Sequence, residues 1–563
     1  MNTGKNISVC LLLIVFQIAV NVCSAAQMND LSEIPLQAGP SELEWFRGAK
    51  FGMFIHWAPV SLLGTEIGWS RGGERRGTGG AGSVPVEVYD NLCKSFYPAC
   101  FDAKKWAELA KEAGARYVVF TAKHHDGFCM FDSNLTDFKI TNGPFKRDIT
   151  AELAQACHEA GLKLGLYYST ADWYHPDYRT ERQERYIEYM HGQLRELCTN
   201  YGNVDIVWFD GGKNGDDSEK LFRMMRGLQP AVLINQRYGL PGDFDTPEQE
   251  VGRFQTDRAW ESCVTLGTQW AWKSDDKIKP FEECINLLVR CAGGDGNLLL
   301  NTGPMPTGEI EPGQAQRFRE IGEWLRTYGE SIYGTRGGPF KPGCWGVSTY
   351  KDNFIYLHVL SWEDAVLKLP PIGVKIKSCQ LLNADKPVKI EQNKEGISIV
   401  VPSELRDNID TIIKLQLEDT ASQIAPCTVI SGSLMVNRPV AASNVHKGMA
   451  QFAAENAVDN NPSTRWATDW DTKQAWLEVD LGKSVKFNRV KIREGDEFAQ
   501  VCQFELQYKD GRTWHTFLSG NTIGNNYSGQ FDSVTSQYVR LNILDIMGRP
   551  RPTSIWEFQL FAQ

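Results

Sequence analysis

Between residues 45 and 335, short apolar runs alternate with segments whose apolar residues recur at helical spacing. The runs KFGMFIHW (50–57), RYVVFTAKHHDGF (116–128), KLGLYYS (163–169), VDIVWFDG (204–211), VLINQRYG (232–239) and GNLLLNTGP (296–304) have the length of buried strands. Between them, Asp102 can cap a helix carrying Trp106, Leu109, Ala110 and Ala113 on one side and stopping at Gly114. Asp148 can start another, with Ile149, Leu153, Cys157 and Ala160, stopping at Gly161. A repeated strand–helix order predicts a parallel sheet, and a span of about 290 residues suits a (β/α)8 barrel. The stretch 240–275 is irregular, so the sixth and seventh strands have no clear run of their own.

Beyond Tyr333 the helical spacing disappears. GTRGGPFKPG (334–343) is a Gly/Pro-rich connection into short alternating runs, NFIYLHVL (353–360), KSCQLLNA (377–384) and TIIKLQL (411–417), which predict a β-sandwich of about 80 residues. A linker near 419–426 leads to a last β-rich unit with AWLEVDLG (475–482), NRVKIRE (488–494), CQFELQYK (502–509) and SQYVRLNIL (536–544). At the other end, Lys5 precedes an apolar run from Ile7 to about Val20, followed by Ser24, Ala25 and Ala26. That run is short for a membrane span and fits a cleaved secretory signal peptide, which implies a secreted or periplasmic protein. Cys23 raises a lipoprotein alternative, but Val22 is bulky where bacterial lipoprotein signals use a small residue. The expected organisation is a signal peptide at 1–26, a barrel at 27–336, a sandwich at 337–420 and a terminal β unit at 425–563.

Composition narrows the partners. A net charge of -10 with no basic run argues against nucleic acid. Seventeen Trp supply flat faces that suit sugar rings. The cysteines after residue 26 form no CxxC pair and no Cys/His cluster with zinc spacing. Cys157 and Cys284 lie on expected helices and should pack as small hydrophobes.

The chemistry collects at strand ends. Asp210 follows the apolar run Ile206–Phe209 and precedes two glycines, a costly place for a carboxylate unless it has a task. In a barrel that position is the C-terminal rim, where active sites are built. The same rim would collect His56, His124, His125, Tyr168 and Arg237. A metal-dependent hydrolase is a rival reading, but such sites usually use HxH; adjacent histidines on an extended strand point opposite ways. Cleaving a glycosidic bond needs two carboxyl groups. Asp210 supplies one, and by spacing alone Glu248, Glu250 and Glu261 are equal candidates for the other.

Taken together, FGMFIHW, TAKHHDGF, LYYS, VWFDG, DFDTPEQEV, WESC and GGDGNLLLNTGP resemble glycoside hydrolase family 29, the retaining α-L-fucosidases, over residues 45–335. The resemblance implies Asp210 as nucleophile and Glu248 as acid/base. It implies sugar-holding roles for His56, His124, His125, Tyr168, Trp208, Arg237, Glu66 and Trp270, with fucosylated oligosaccharides or glycoproteins as partners and no cofactor for catalysis. The histidines, Tyr168 and Arg237 suit fucose hydroxyls; Trp208 or Trp270 suits its methyl group. IYGTRGGPFKPGCWGVSTY (332–350) and GDFDTPEQ resemble the subgroup acting on α-1,3 and α-1,4 fucose of Lewis-type glycans. The terminal unit resembles the discoidin-like jelly roll (factor V/VIII type C), a fold shared with carbohydrate-binding module family 32. There AVDNNPSTRW (457–466) is similar to a calcium-binding turn, with Asp459, Asn461, Thr464 and Glu557 as oxygen donors, although Asn460 replaces the usual glycine. The alternatives are a carbohydrate-binding protein with an inactive barrel and a broad-specificity α-L-fucosidase.

Overall fold

The computed structural model describes residues 31–562 apart from 216, 363–364, 383, 385–387, 431, 462–463, 495–499, 525–526 and 548–551. The expected signal peptide lies outside the described residues. Eight parallel strands form the first sheet: β1 (Phe51–Ile55), β2 (Tyr117–Lys123), β3 (Lys163–Ser169), β4 (Ile206–Asp210), β5 (Leu233–Ile234), β6 (Phe244–Asp245), β7 (Ala259–Thr265) and β8 (Asn297–Thr302). Their order is β5-β4-β3-β2-β1-β8-β7-β6, and a parallel bridge between Asn235 and Phe244 joins the two ends. The result is a TIM-type barrel.

The helix signals act as the local chemistry requires. Asp102 accepts the N–H groups of Lys104 and Lys105 at the start of Ala103–Glu112, and Asp148 accepts that of Ala151 at the start of Ile149–Ala160. Gly161 ends the second helix at φ 73°, a left-handed conformation cheap only for glycine. Cys157 and Cys284 are buried on their helices.

Two strands depart from the sequence expectation. The run 232–239 keeps only Leu233–Ile234 extended, then turns through a 3-10 segment, Gln236–Tyr238. The chain doubles back at once: Asp243 N donates to Ile234 O at 2.7 Å, and Asp243 Oδ2 accepts from Ile234 N at 2.7 Å. The same carboxylate pairs with buried Arg226 at 2.6 Å, so β5 and β6 are pinned by a desolvated ion pair rather than by a long ladder. β7 falls in the irregular stretch; it is buried throughout, although Glu261 and Ser262 interrupt its apolar character.

The chain divides into two compact units. One comprises Met1–Glu248, Arg258–Lys279 and Leu299–Glu323; the other comprises Gln249–Asp257, Pro280–Leu298 and Trp324–Gln563. Within the second, the segment expected to be a sandwich forms a five-stranded sheet and a three-stranded sheet around a core that includes Ile355, Leu357, Ile399, Ile413 and Leu415. The last segment forms a six-stranded antiparallel sheet and a two-stranded one, enclosing Trp466, Leu477, Val490, Phe504 and Leu541. Among the described residues, no helix is long and apolar enough to cross a membrane.

Candidate active site

The barrel's C-terminal rim opens on a cavity of about 280 Å³. Asp210 ends β4 at its wall. Its Oδ1 accepts from the Gly211 N–H and Arg237 Nη1, both at 2.9 Å, and its Oδ2 accepts from Tyr167 OH at 2.9 Å. His125 Nε2 stands 3.5 Å from Oδ2. Burial pushes this carboxyl up, but Arg237, Tyr167 and the Gly211 N–H together hold it below the usual aspartate range. Asp210 is therefore a half-buried, ionised carboxylate. Gly211 makes this possible: at φ 91°, a Cβ there would meet Ala171 N at 2.6 Å.

Arg237 spans the cavity wall. Besides Asp210 it donates to Thr246 Oγ1 (2.9 Å), Thr246 O (3.0 Å) and Glu248 Oε2 (3.2 Å). One guanidinium thus holds both Asp210 and Glu248. Its Cζ also lies 4.6 Å from the ring centroid of Trp208, the buried floor of the cavity. Glu248 is half-exposed at the rim, past the end of β6, and is bridged to Cys263 of β7.

The other two glutamates take different places. Glu250 lies in the segment Gln249–Asp257, 3.7 Å from Arg253. Glu261 is fully buried on β7, accepting from Tyr117 OH at 2.5 Å and Trp208 Nε1 at 2.7 Å. It fixes the floor and does not line the cavity.

Three histidines line the cavity. His56 Nδ1 sits 2.6 Å from Asn301 Oδ1, while Asn301 Nδ2 donates to Trp270 O at 2.8 Å. With the amide so oriented, Nδ1 carries the proton and Nε2 keeps a lone pair. His125 Nδ1 meets Ser169 Oγ at 2.6 Å, and that hydroxyl gives its own proton to Ala171 O, so Nδ1 is again the protonated nitrogen. Burial lowers His56 to about 3, depresses His124 well below its usual range and lowers His125, so the cluster is uncharged near neutral pH. Both His124 and His125 face the cavity because β2 ends at Lys123. Past that point the strand alternation expected of adjacent histidines no longer applies. Among the described residues, no three His, Cys, Asp or Glu side chains group as metal ligands.

Tyr168 is a correction. Its OH donates to Gln193 Oε1 on the helix Gln183–Asn200, and its ring lies 4.4 Å from buried Lys123 Nζ, outside the barrel wall. Tyr167 occupies the cavity instead, stacked on Trp208 at 5.5 Å. The β3–β4 register explains this, since Tyr167 pairs with Trp208 and Ser169 with Asp210. Residues two apart share a face, so a cavity-facing Trp208 and Asp210 require Tyr167, and that signal was present in the sequence. Glu66 is a second correction. Its carboxylate accepts from the Ile67, Trp270 and Ala271 N–H groups at 2.8–3.0 Å, so it holds the Trp270 loop and does not line the cavity. Trp270 lines the cavity, its ring 4.8 Å from His56. Trp69, Trp173 and Cys263 also line it and carried no distinctive sequence spacing.

A half-buried ionised carboxylate, a second carboxylate on the same arginine, neutral hydroxyl partners and indole walls make up a site equipped for glycoside hydrolysis. The family model for α-L-fucosidases matches residues 22–330, and that for the F5/8 type C domain matches residues 439–558. The chain belongs to the α-L-fucosidase family, glycoside hydrolase family 29, and its last domain is of the F5/8 type C kind. It is similar to human plasma α-L-fucosidase, 28% identical over 64% of this chain and 85% of that protein. Among solved structures it resembles α-L-fucosidase isoenzyme 1 from Paenibacillus thiaminolyticus (36% identity, TM-score 0.61, 67% of this chain and 99% of that one). It also resembles a Bacteroides thetaiotaomicron enzyme trapped as a covalent intermediate with 2-fluoro-fucosyl fluoride (27% identity, TM-score 0.60, 69% and 100% covered). Enzymes of this family need no cofactor for catalysis.

Burial raises the Glu261 carboxyl to about 7, against the opposing pull of Tyr117 and Trp208. A carboxyl raised in the folded state contributes stability that is full below about pH 4.5 and lost as pH climbs through about 7. Glu261→Gln removes that titration, so wild type should lose stability relative to the variant between these limits. Paired thermal unfolding across pH 4–8 measures it; a constant difference would refute the assignment.

Proposed function

We propose that the protein is a retaining exo-α-L-fucosidase in which Asp210 is the nucleophile and Glu248 the acid/base. The observation that carries this reading is the Arg237 guanidinium held by both carboxylates at one sugar-sized cavity. Asp210 attacks the anomeric carbon as the glycosidic C–O bond breaks, and Glu248 gives its proton to the departing oxygen. Glu248 then takes a proton from water, which attacks the fucosyl–Asp210 ester and frees the carboxylate. His56, His124 and His125 hold hydroxyls, Trp208 and Trp270 supply apolar wall, and Arg237 keeps the nucleophile ionised.

Asp210→Gly should lower turnover by several orders of magnitude, with azide partly restoring cleavage of an activated aryl fucoside. Glu248→Ala should spare aryl fucosides with good leaving groups and cripple natural glycans, whose oxygen needs the proton. Near-normal turnover by Asp210→Gly would remove the mechanism. The leaving-group pattern in Glu250→Ala or Glu261→Ala, but not in Glu248→Ala, would reassign the acid/base.

The preferred substrates in this reading are Lewis-type glycans bearing α-1,3 or α-1,4 fucose, supported by the segments 332–350 and GDFDTPEQ. A branched aglycone would use contacts that a linear one leaves empty, which favours its transition state. The kcat/KM for Lewis-type trisaccharides should exceed that for α-1,2 fucosyl disaccharides, and equal constants would mark a broad-specificity enzyme. The residues 1–26 support export to the periplasm or beyond, and detection of the mature chain in the cytoplasm alone would refute it.

A structural calcium in the terminal domain belongs to the same proposal. Asp459 Oδ2 and Asn461 O both accept from Thr464 Oγ1, at 2.7 and 3.0 Å, so hard oxygen donors converge in one turn. Glu557 is buried on the last strand of that domain. These residues suit a calcium ion. A chelator should lower the melting temperature of the full-length protein, with calcium restoring it; an unchanged melting curve would exclude the ion.

A further inference from the structure

We infer that the flap at residues 71–84 reads an anionic group, a sulfate ester or a carboxylate, on the glycan that carries the fucose. This rests on the fucosidase reading above. The flap is closed at its base by the Arg71–Val84 bridge, and Thr78 near its tip lines the cavity. Arg75 lies 5.2 Å from the ring of Trp69 and 5.6 Å from that of Trp173, both cavity walls. Arg76 donates to His175 O and Pro176 O, and Arg179 Nε to Tyr178 OH. Arg76 and Arg179 each lie 5.8 Å from the same Tyr178 ring. A Cβ on Gly77 would meet Arg179 Nε at 2.4 Å, so Arg179 lies directly against the flap.

None of these three guanidinium groups has a carboxylate within ion-pair distance among the described residues. Their neighbours do: Arg71 is bound by Asp90 and Arg182 by Asp177, each at 2.7 Å. Carbonyls, a phenol and aromatic rings satisfy hydrogen-bonding geometry but cancel no charge. In a chain of net charge -10, these three cations gather on and against the flap, with Arg75 over two walls of the cavity that holds Asp210 and Glu248. Such a cationic cluster draws in and orients an acidic aglycone through charge-assisted hydrogen bonds. Arg179 is exposed and Arg75 and Arg76 are half-buried, so all three are within reach of a solute.

The test compares kcat/KM of the full-length enzyme on four substrates at about 0.02 M and about 0.3 M salt. They are an aryl fucoside, a neutral fucosylated oligosaccharide that the enzyme cleaves, and the sulfated and sialylated forms of that oligosaccharide. At low salt an acidic form should exceed the neutral one by about fivefold or more, an advantage that shrinks at high salt. Arg76→Gln with Arg179→Gln should erase the advantage, chiefly through KM, and leave the aryl fucoside within about twofold. A benefit from sulfate alone, or from both anions, supports the inference and identifies the group. Equal or poorer turnover of both acidic forms, or an advantage that survives in the double variant, overturns it. Failure of wild type on the aryl fucoside as well would refute the fucosidase reading itself.

Discussion

The site depends on keeping Asp210 ionised where it is largely withdrawn from water. Burying a lone carboxylate is costly enough that the group would rather take up a proton, and a protonated Asp210 could not act as nucleophile. Arg237 meets the cost with a charge-assisted hydrogen bond, and the Tyr167 hydroxyl and Gly211 N–H supply the rest. Arg237 is itself held by Thr246 through both side chain and carbonyl. The short strands β5 and β6 therefore matter beyond their length. They deliver Arg237 and the Thr246–Glu248 segment to the same wall, and the buried Arg226–Asp243 pair fixes where they turn.

How far the sequence foretold this depends on how each element announces itself. β1 to β4 and β8 are long apolar runs ended by glycine or a polar cluster, and they read directly. β5 and β6 are two residues each, too short for any periodic signal, and are held by a side-chain ion pair that spacing does not reveal. β7 hides because Glu261 and Ser262 break its apolar run, although both are buried. Its glutamate is tolerated because two donors, Tyr117 and Trp208, come from other strands.

The site followed the same logic. Asp210, Arg237 and the three histidines were legible because ionisable or polar groups at strand ends are conspicuous. Choosing between Tyr167 and Tyr168 required applying the two-residue alternation across the β3–β4 register. Glu66 looked like a sugar ligand by resemblance, but three backbone N–H groups claim its carboxylate. Which side chain a free N–H will recruit is decided by loop geometry, and loop geometry is what a sequence pattern conveys least.

The neutrality of the histidine cluster has a chemical consequence. In glycoside cleavage the sugar ring gains positive charge as the leaving group departs. A cationic imidazolium facing that ring would oppose the charge in a cavity where burial weakens dielectric screening. Burial of His56, His124 and His125 removes this opposition and leaves lone pairs that can accept from sugar hydroxyls. The cation that remains, Arg237, spends its charge on Asp210 and Glu248 through directed hydrogen bonds rather than on the sugar. One half-buried arginine keeps the nucleophile ionised, and three uncharged imidazoles leave the developing charge on the sugar to be met by a carboxylate.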